Sequence, residues 1–382
     1  MRKIFANAAV RELLRIVLAV SIALLLGLIV TLLVSEDPWG AYKAFLVGPL
    51  TKFNRFGDWI EESITLIFLG LSVAIAFKAK QFSLGAEGQM VLGALVSGSI
   101  ILFVPIESAF LRITVALLAA MVVGFLWGAI PGYLKAYVNA NEIVTTLMLN
   151  TIALKLYDYF LTYKIKPEGA GYTASDFLPN AYRVPSFIPK FAGNLYDMFS
   201  RQTNITLFLY FMVASILIGW FLMYRTPFGY ELRMVGSNIK FARYGGINTK
   251  KVIVLAFAIS GIFAGLAGAH LAMGIHNKLI LNITVGLGFE GIVVATMARN
   301  NPLFVPLSGL AYGYLRAGAD IMERASDMSR EMVLIVQALI ILLVTAEGIL
   351  PVIQQRVGQG SNKGLSKVVD SPAATEGGSH VI

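Results

Sequence analysis

The sequence predicts an all-α, polytopic transmembrane protein of about ten spans with an inverted internal repeat. Three observations carry this. Only 14% of the residues are charged and 57% are hydrophobic, whereas a soluble domain carries about 25% charged residues. Long apolar runs recur along the chain; between Ile16 and Val34 the only polar side chains are Ser21 and Thr31. Two short Gly-containing motifs of the first half, one of them with a Glu, return in the same order in the second.

The apolar runs are continuous, unlike the short alternating segments of a β-barrel. A helix satisfies its own backbone hydrogen bonds in lipid, so each run is expected to cross as one. The expected spans are 13–34, 59–78, 84–104, 112–132, 143–161, 204–224, 252–274, 284–299, 303–322 and 331–351. Arg2, Lys3, Arg11 and Arg15 precede the first run, which is too long for a signal-peptide core and lacks a small-residue cleavage site after it. It reads as a retained first helix with its basic end inside. An even number of spans then places both termini in the cytoplasm. Lys78, Lys80, Lys135, the segment from Arg225 to Lys251 and Arg299 fall in internal loops. The net charge of +9 follows from this loop bias and needs no nucleic-acid partner.

The expected transmembrane domain is 1–353, with a Pro- and Gly-punctuated external loop at 162–203 and a basic internal segment at 225–251. Residues 354–382 form a polar Gly/Ser-rich tail with a disordered composition.

The repeat pairs Leu84-Gly85-Ala86-Glu87-Gly88 with Leu287-Gly288-Phe289-Glu290-Gly291, and GAIPGYLKA at 128–136 with GLAYGYLRA at 309–317. In the expected topology the halves run in opposite senses across the membrane, as in transporters whose substrate route lies at the repeat interface. The spacing between the echoes differs, 44 positions in the first half and 22 in the second, so the second hairpin is short or re-entrant.

Ionisable residues within spans mark function or buried pairing. Glu87 and Glu290, each beside glycines, and Gln89 are candidates for the substrate path. So are Thr145, Thr146 and Asn150, on the helix that Asn141 can cap. The competing reading is that these side chains hold helices together. Asn238–Tyr244 is expected as a short helix ending at Gly245-Gly246, suited to docking a cytoplasmic partner. With no cysteine and three scattered histidines, no metal site is expected. No phosphate loop of the G-x-x-x-x-G-K-[ST] type and no nucleophile–base arrangement occurs, so no catalytic residue is assigned and ATP hydrolysis is expected on a separate subunit.

FSLGAEGQM at 82–90, NEIVTTLMLN at 141–150, GYELRMVGSNIKFARYGGIN at 229–248 and GFEGIVVA at 289–296, followed by Asn300-Asn301-Pro302, resemble the permease subunits of bacterial ATP-binding-cassette importers. The resemblance is to the nucleoside and simple-sugar branch of the ribose/branched-chain amino-acid permease family. It implies a non-enzymatic translocation subunit of the plasma membrane that carries nucleosides inward by alternating access. It also implies two ATPase subunits that consume ATP, a second permease, often a paralogue, and an external binding lipoprotein. No cofactor is implied on this chain itself. The resemblance places coupling to the ATPase at Gly229, Glu231, Arg233, Gly236, Asn238, Ala242, Arg243 and Gly246. A monosaccharide is the alternative cargo, and an ATP-independent secondary transporter the alternative mechanism.

Overall fold

The computed structural model describes residues 24–187, 203, 205–284 and 286–346. The basic N-terminus, the end of the external loop and the polar tail lie outside the described residues. Thr31–Leu334 forms one compact unit.

All regular structure among the described residues is helical, apart from two isolated β-bridges. The helices are α1 Leu24–Val34, α2 Pro38–Thr51, α3 Phe53–Lys78, α4 Ala86–Phe103, α5 Ala109–Tyr133, α6 Glu142–Phe160, α7 Phe208–Arg225, α8 Pro227–Ser237, α9 Ile239–Tyr244, α10 Thr249–His270, α11 Leu287–Met297, α12 Val305–Ala325 and α13 Arg330–Ala346. π-Helical turns prolong α5 to Val138, α6 to Ile165 and α10 to Ile275.

Polar residues begin these helices as capping chemistry requires. Asp37 accepts the Gly40 N–H with Pro38 in the first turn. Asn141 accepts from Ile143 and Val144, Thr226 from Gly229, Asn238 from Lys240 and Phe241, and Asn248 from Lys251.

Among the described residues, five helices are long and apolar enough to cross a membrane: α3, α4, α5 with its π turn, α7, and α10 with its π turn. The others placed at expected spans are shorter or carry charge. With 11 residues, α11 rises about 16 Å, half of a hydrocarbon core of about 30 Å. One helix was not anticipated. Pro38–Thr51 lies against α12, where Tyr314 donates its hydroxyl to the Leu46 carbonyl, and a Cβ on Gly318 would stand 2.4 Å from the Phe45 carbonyl oxygen.

The tightest packing joins α4, α5 and α10. Ala120, Gly124 and Gly128 fall four apart on α5, and Gly261 and Gly265 four apart on α10. A Cβ on Gly124 would lie 2.1 Å from the Gly261 carbonyl oxygen, and one on Gly261 would lie 2.0 Å from that of Gly124. The backbones therefore touch, the contact that small residues at every fourth position permit between membrane helices. At the end of α4, Arg112 donates to the Ile101 carbonyl at 3.4 Å and to that of Val104, while its guanidinium lies over the Tyr182 ring at 3.9 Å.

Candidate functional site

Residues 79–85 return from the end of α3 as irregular chain, and α4 begins only at Ala86. Irregular backbone at membrane depth must be satisfied by protein. Asn150 does this from α6: its Nδ2 donates to the Leu84 carbonyl at 2.7 Å, and its Oδ1 accepts the Gly88 N–H at 2.9 Å. Thr146, one turn earlier, accepts the Leu84 N–H at 3.3 Å. Asn150 stands eight residues into α6, about 12 Å from its start, so the start of α4 packs against the interior of α6 rather than its end.

Gly286–Gly288 opens α11, and Glu87 meets it. Its Oε1 accepts the Gly286 N–H at 3.1 Å and its Oε2 accepts the Gly288 N–H at 2.6 Å. A Cβ on Gly288 would stand 2.6 Å from the Glu87 backbone nitrogen, so only glycine allows this approach. The two Glu-containing repeat motifs thus meet helix start to helix start. Two positive helix ends converge there, and the carboxylate of Glu87 lies between them.

Glu290, the second motif's acid, faces the other way. Arg316 Nη1 reaches Glu290 Oε1 at 2.5 Å and Arg316 Nε reaches Glu62 Oε2 at 3.6 Å. This links α11, α12 and α3. Beside it lies a cavity of about 150 Å³ whose polar lining is Glu62, Thr65, His276, Thr284 and Arg316, with Leu271 and Leu287 among its apolar walls. Behind that wall, His270 is fully buried with Nδ1 2.8 Å from Thr65 Oγ1.

The path residues expected from sequence thus fall into distinct settings. Glu87, Thr146 and Asn150 are buried and bonded to backbone groups. Gln89 is buried with no partner for its amide among the described residues; a Cβ on Gly128 would lie 3.0 Å from its Nε2, so it points at the α4–α5 crossing. Thr145 is half-buried and donates back to the Asn141 carbonyl. Glu290 joins the arginine cluster. The 277–283 segment leading to α11 is held from outside α10: Ser175 N–H donates to the Leu279 carbonyl at 2.8 Å, and Tyr157 donates its hydroxyl to that of Ile280 at 2.8 Å. The triad of Glu62, Glu290 and Arg316 was legible only as charges within spans; no spacing rule pairs residues so far apart in sequence.

The basic internal segment forms two short helices. A Cβ on Gly229 would lie 2.2 Å from the Leu222 carbonyl oxygen and one on Gly236 2.0 Å from that of Lys78, so α8 rests directly on the ends of α7 and α3. Arg233 donates to the Met223 carbonyl and Glu231 is half-buried. On α9 only Ala242 is buried; Ile239, Lys240, Phe241, Arg243 and Tyr244 are exposed, Tyr244 at 92%. Gly246 ends the turn at φ +81°.

Five apolar helices of membrane-spanning length among the described residues define a multi-pass membrane protein. Residues 56–345 match the family described as branched-chain amino acid transport system / permease component, and the chain belongs to that family. It is 31% identical to a glucose ABC transporter permease of Haloferax volcanii, with 87% of each chain covered. It is 32% identical to a guanosine ABC transporter permease of Bacillus subtilis over 86% of this chain and 92% of that one. It is 27% identical to a nucleoside ABC transporter permease of Lactococcus lactis subsp. cremoris, over 91% and 94%. No solved structure matches. The chain is therefore an ABC permease subunit, and such membrane subunits are not themselves enzymes.

Proposed function

We propose that this permease carries nucleosides into the cytoplasm of a bacterial cell across the plasma membrane, powered by ATP hydrolysis on separate subunits. The observation that carries the transport mechanism is the meeting of α4 and α11, helix start to helix start, at Glu87 and Gly288. Two helices that start against each other, one of them part-length, and that belong to echoing motifs fit an inverted repeat of about five spans each, with the route beside their junction. On this reading both termini are cytoplasmic, 1–353 is the transmembrane domain and 354–382 a cytoplasmic tail. Single cysteines replacing Tyr172 and Tyr244, both exposed, should label from opposite sides.

The partners are two ATPase subunits, a second permease and an external binding lipoprotein. Exposed Phe241 and Tyr244 on α9, with Gly229, Glu231, Arg233, Gly236, Asn238, Ala242, Arg243 and Gly246 shaping α8, α9 and the turn after them, form the coupling surface. ATPase closure would move this pair, and α8 would pass the movement to the ends of α3 and α7 on which it packs. No cofactor belongs to the chain. Glu87, Gln89, Thr145, Thr146, Asn150 and Glu290 stay assigned to the substrate path, through the two helix starts and the arginine cluster that they hold beside it.

The nucleoside reading is supported by the guanosine and nucleoside permeases among the relatives. A neutral solute also suits a cavity whose cation, Arg316, is paired with Glu290 and Glu62. The glucose permease relative favours a monosaccharide as the second reading. Uptake into proteoliposomes holding the whole complex decides between them. Radiolabelled guanosine or uridine should enter only with ATP on the cytoplasmic side, without competition from excess ribose. Uptake blocked by free sugar and indifferent to nucleosides would reverse the cargo. Failure to co-purify with an ATPase would return the secondary-transporter reading.

A further inference from the structure

The continuous helix Glu142–Ile165 buries one narrow face, Thr146, Asn150, Ala153, Tyr157 and Leu161, against its neighbours. Its outward face differs from those of α5 and α7. The large exposed residues of α5 between Phe110 and Tyr133, and those of α7 between Tyr210 and Phe221, are all apolar or aromatic, as lipid requires. On α6 the outward face carries Thr151 and Lys155, exposed, and Asp158, half-buried. Their spacing of four and then three residues puts them on one stripe.

Lys155 is the informative member. Its side chain is 77% exposed, and its Nζ stands 3.5 Å from Asp158 Oδ2. It lies 13 residues from the first residue of the helix and 10 from the last of its π turn, about 20 Å and 15 Å respectively. A lysine near a helix end can bend its ammonium to the headgroups. From the middle of a helix this long the ammonium stays at membrane depth, and a charge there faces protein or water rather than lipid. Thr151, a turn nearer the cytoplasmic end, continues the polar stripe in the opposite direction from Asp158.

We propose that the face of α6 bearing Thr151, Lys155 and Asp158 is a wall of the water-filled substrate route. The inference rests on the transport reading above and adds residues that it did not include. The chemistry offered is an ammonium donor, a carboxylate acceptor and a hydroxyl that does both, set among Met148, Ile152 and Tyr159. That combination fits a neutral solute with several hydroxyls and an apolar or aromatic part.

The chain contains no cysteine, so each introduced cysteine is its single thiol, and labelling is read on this subunit after separation from its partners. Thr151→Cys, Lys155→Cys, Val122→Cys and Leu217→Cys are made singly in the complete transporter in nanodiscs. Each is reacted with a cationic methanethiosulfonate, which labels thiols in water. Positions 151 and 155 should label at least tenfold faster than 122 and 217, and saturating guanosine should slow them several-fold. Equal, slow labelling at all four positions would overturn the proposal. So would slow labelling at 151 and 155 together with disulfide cross-linking of those cysteines between two copies, which would make the face a dry subunit seam. Fast labelling slowed by ribose but not by guanosine would uphold the route and overturn only the nucleoside cargo.

Discussion

Glu87 accepts the backbone N–H of Gly288 at 2.6 Å through Oε2. The bond joins two motifs two hundred residues apart in the chain at the starts of two helices. A helix leaves its first N–H groups unsatisfied, and at membrane depth no water replaces a lost acceptor. The carboxylate is thus both partner and counter-charge to the junction.

Glu87→Ala should destabilise the assembled permease by about 2–6 kcal/mol, since two N–H groups lose their acceptor at about 1–3 kcal/mol each. Glu87→Gln, which keeps one acceptor oxygen, should fall between. Melting temperatures in detergent measure this; an unchanged value for the alanine variant would show that the junction is held otherwise.

Arg316 should be costly to remove alone. Arg316→Met leaves Glu290 and Glu62 without their cation, a loss of about 3 kcal/mol, at the low end for a broken buried pair. The part exposure of these side chains, 21% to 30%, keeps it low. A double-mutant cycle with Glu290→Gln should yield a coupling of about 1 kcal/mol or more. Additive effects would mean that the contact contributes nothing.

Gly236→Ala should impair coupling without preventing insertion. The added methyl would displace α8 from the Lys78 carbonyl, where 2.0 Å is available. Gly246 offers a contrast, because nothing lies within 4 Å of a Cβ there but φ is +81°. Gly246→Ala therefore costs only backbone strain, about 1–2 kcal/mol. Transport-linked ATP hydrolysis, measured beside the amount of assembled complex, should drop more for Gly236→Ala than for Gly246→Ala.

Asp327 supplies a pH dependence. It accepts the Ser35 hydroxyl at 2.6 Å and the Glu36 N–H at 2.7 Å. The Glu36 N–H first, then Ser35, holds its carboxyl below the ordinary 3.8. Its contribution is complete above about pH 4 and is lost as pH falls through the lowered folded value. Thermal melts should therefore show a steeper acid-side fall for the wild type than for Asp327→Asn. Parallel curves would sink the assignment.

Much of the fold was legible in the sequence, because lipid permits few backbone solutions. Apolar length marked most of the helices, and the cap at Asn141 was readable as local chemistry, whereas Asn238, expected as the first residue of its helix, caps it instead. Pro38–Thr51 was not, because its partner, α12, lies hundreds of residues away. Glu87, Thr146 and Asn150 were legible as polar residues within spans. Their mutual service to Leu84, Gly88 and Gly288 was not, because it joins four segments.

What the sequence by itself determined is the helical, multi-pass class and, through its motifs, the permease family. Both depend on local features: apolar run length, turn residues and short motifs within single segments. Only the tertiary structure decided that α4 and α11 start against each other, that Arg316 bridges Glu290 and Glu62, and that Lys155 points outward. A helix's periodicity says which residues share a face, but not which neighbour, or none, covers it. That choice is made by close packing such as the Gly124–Gly261 contact, where the absence of two side chains lets the backbones meet.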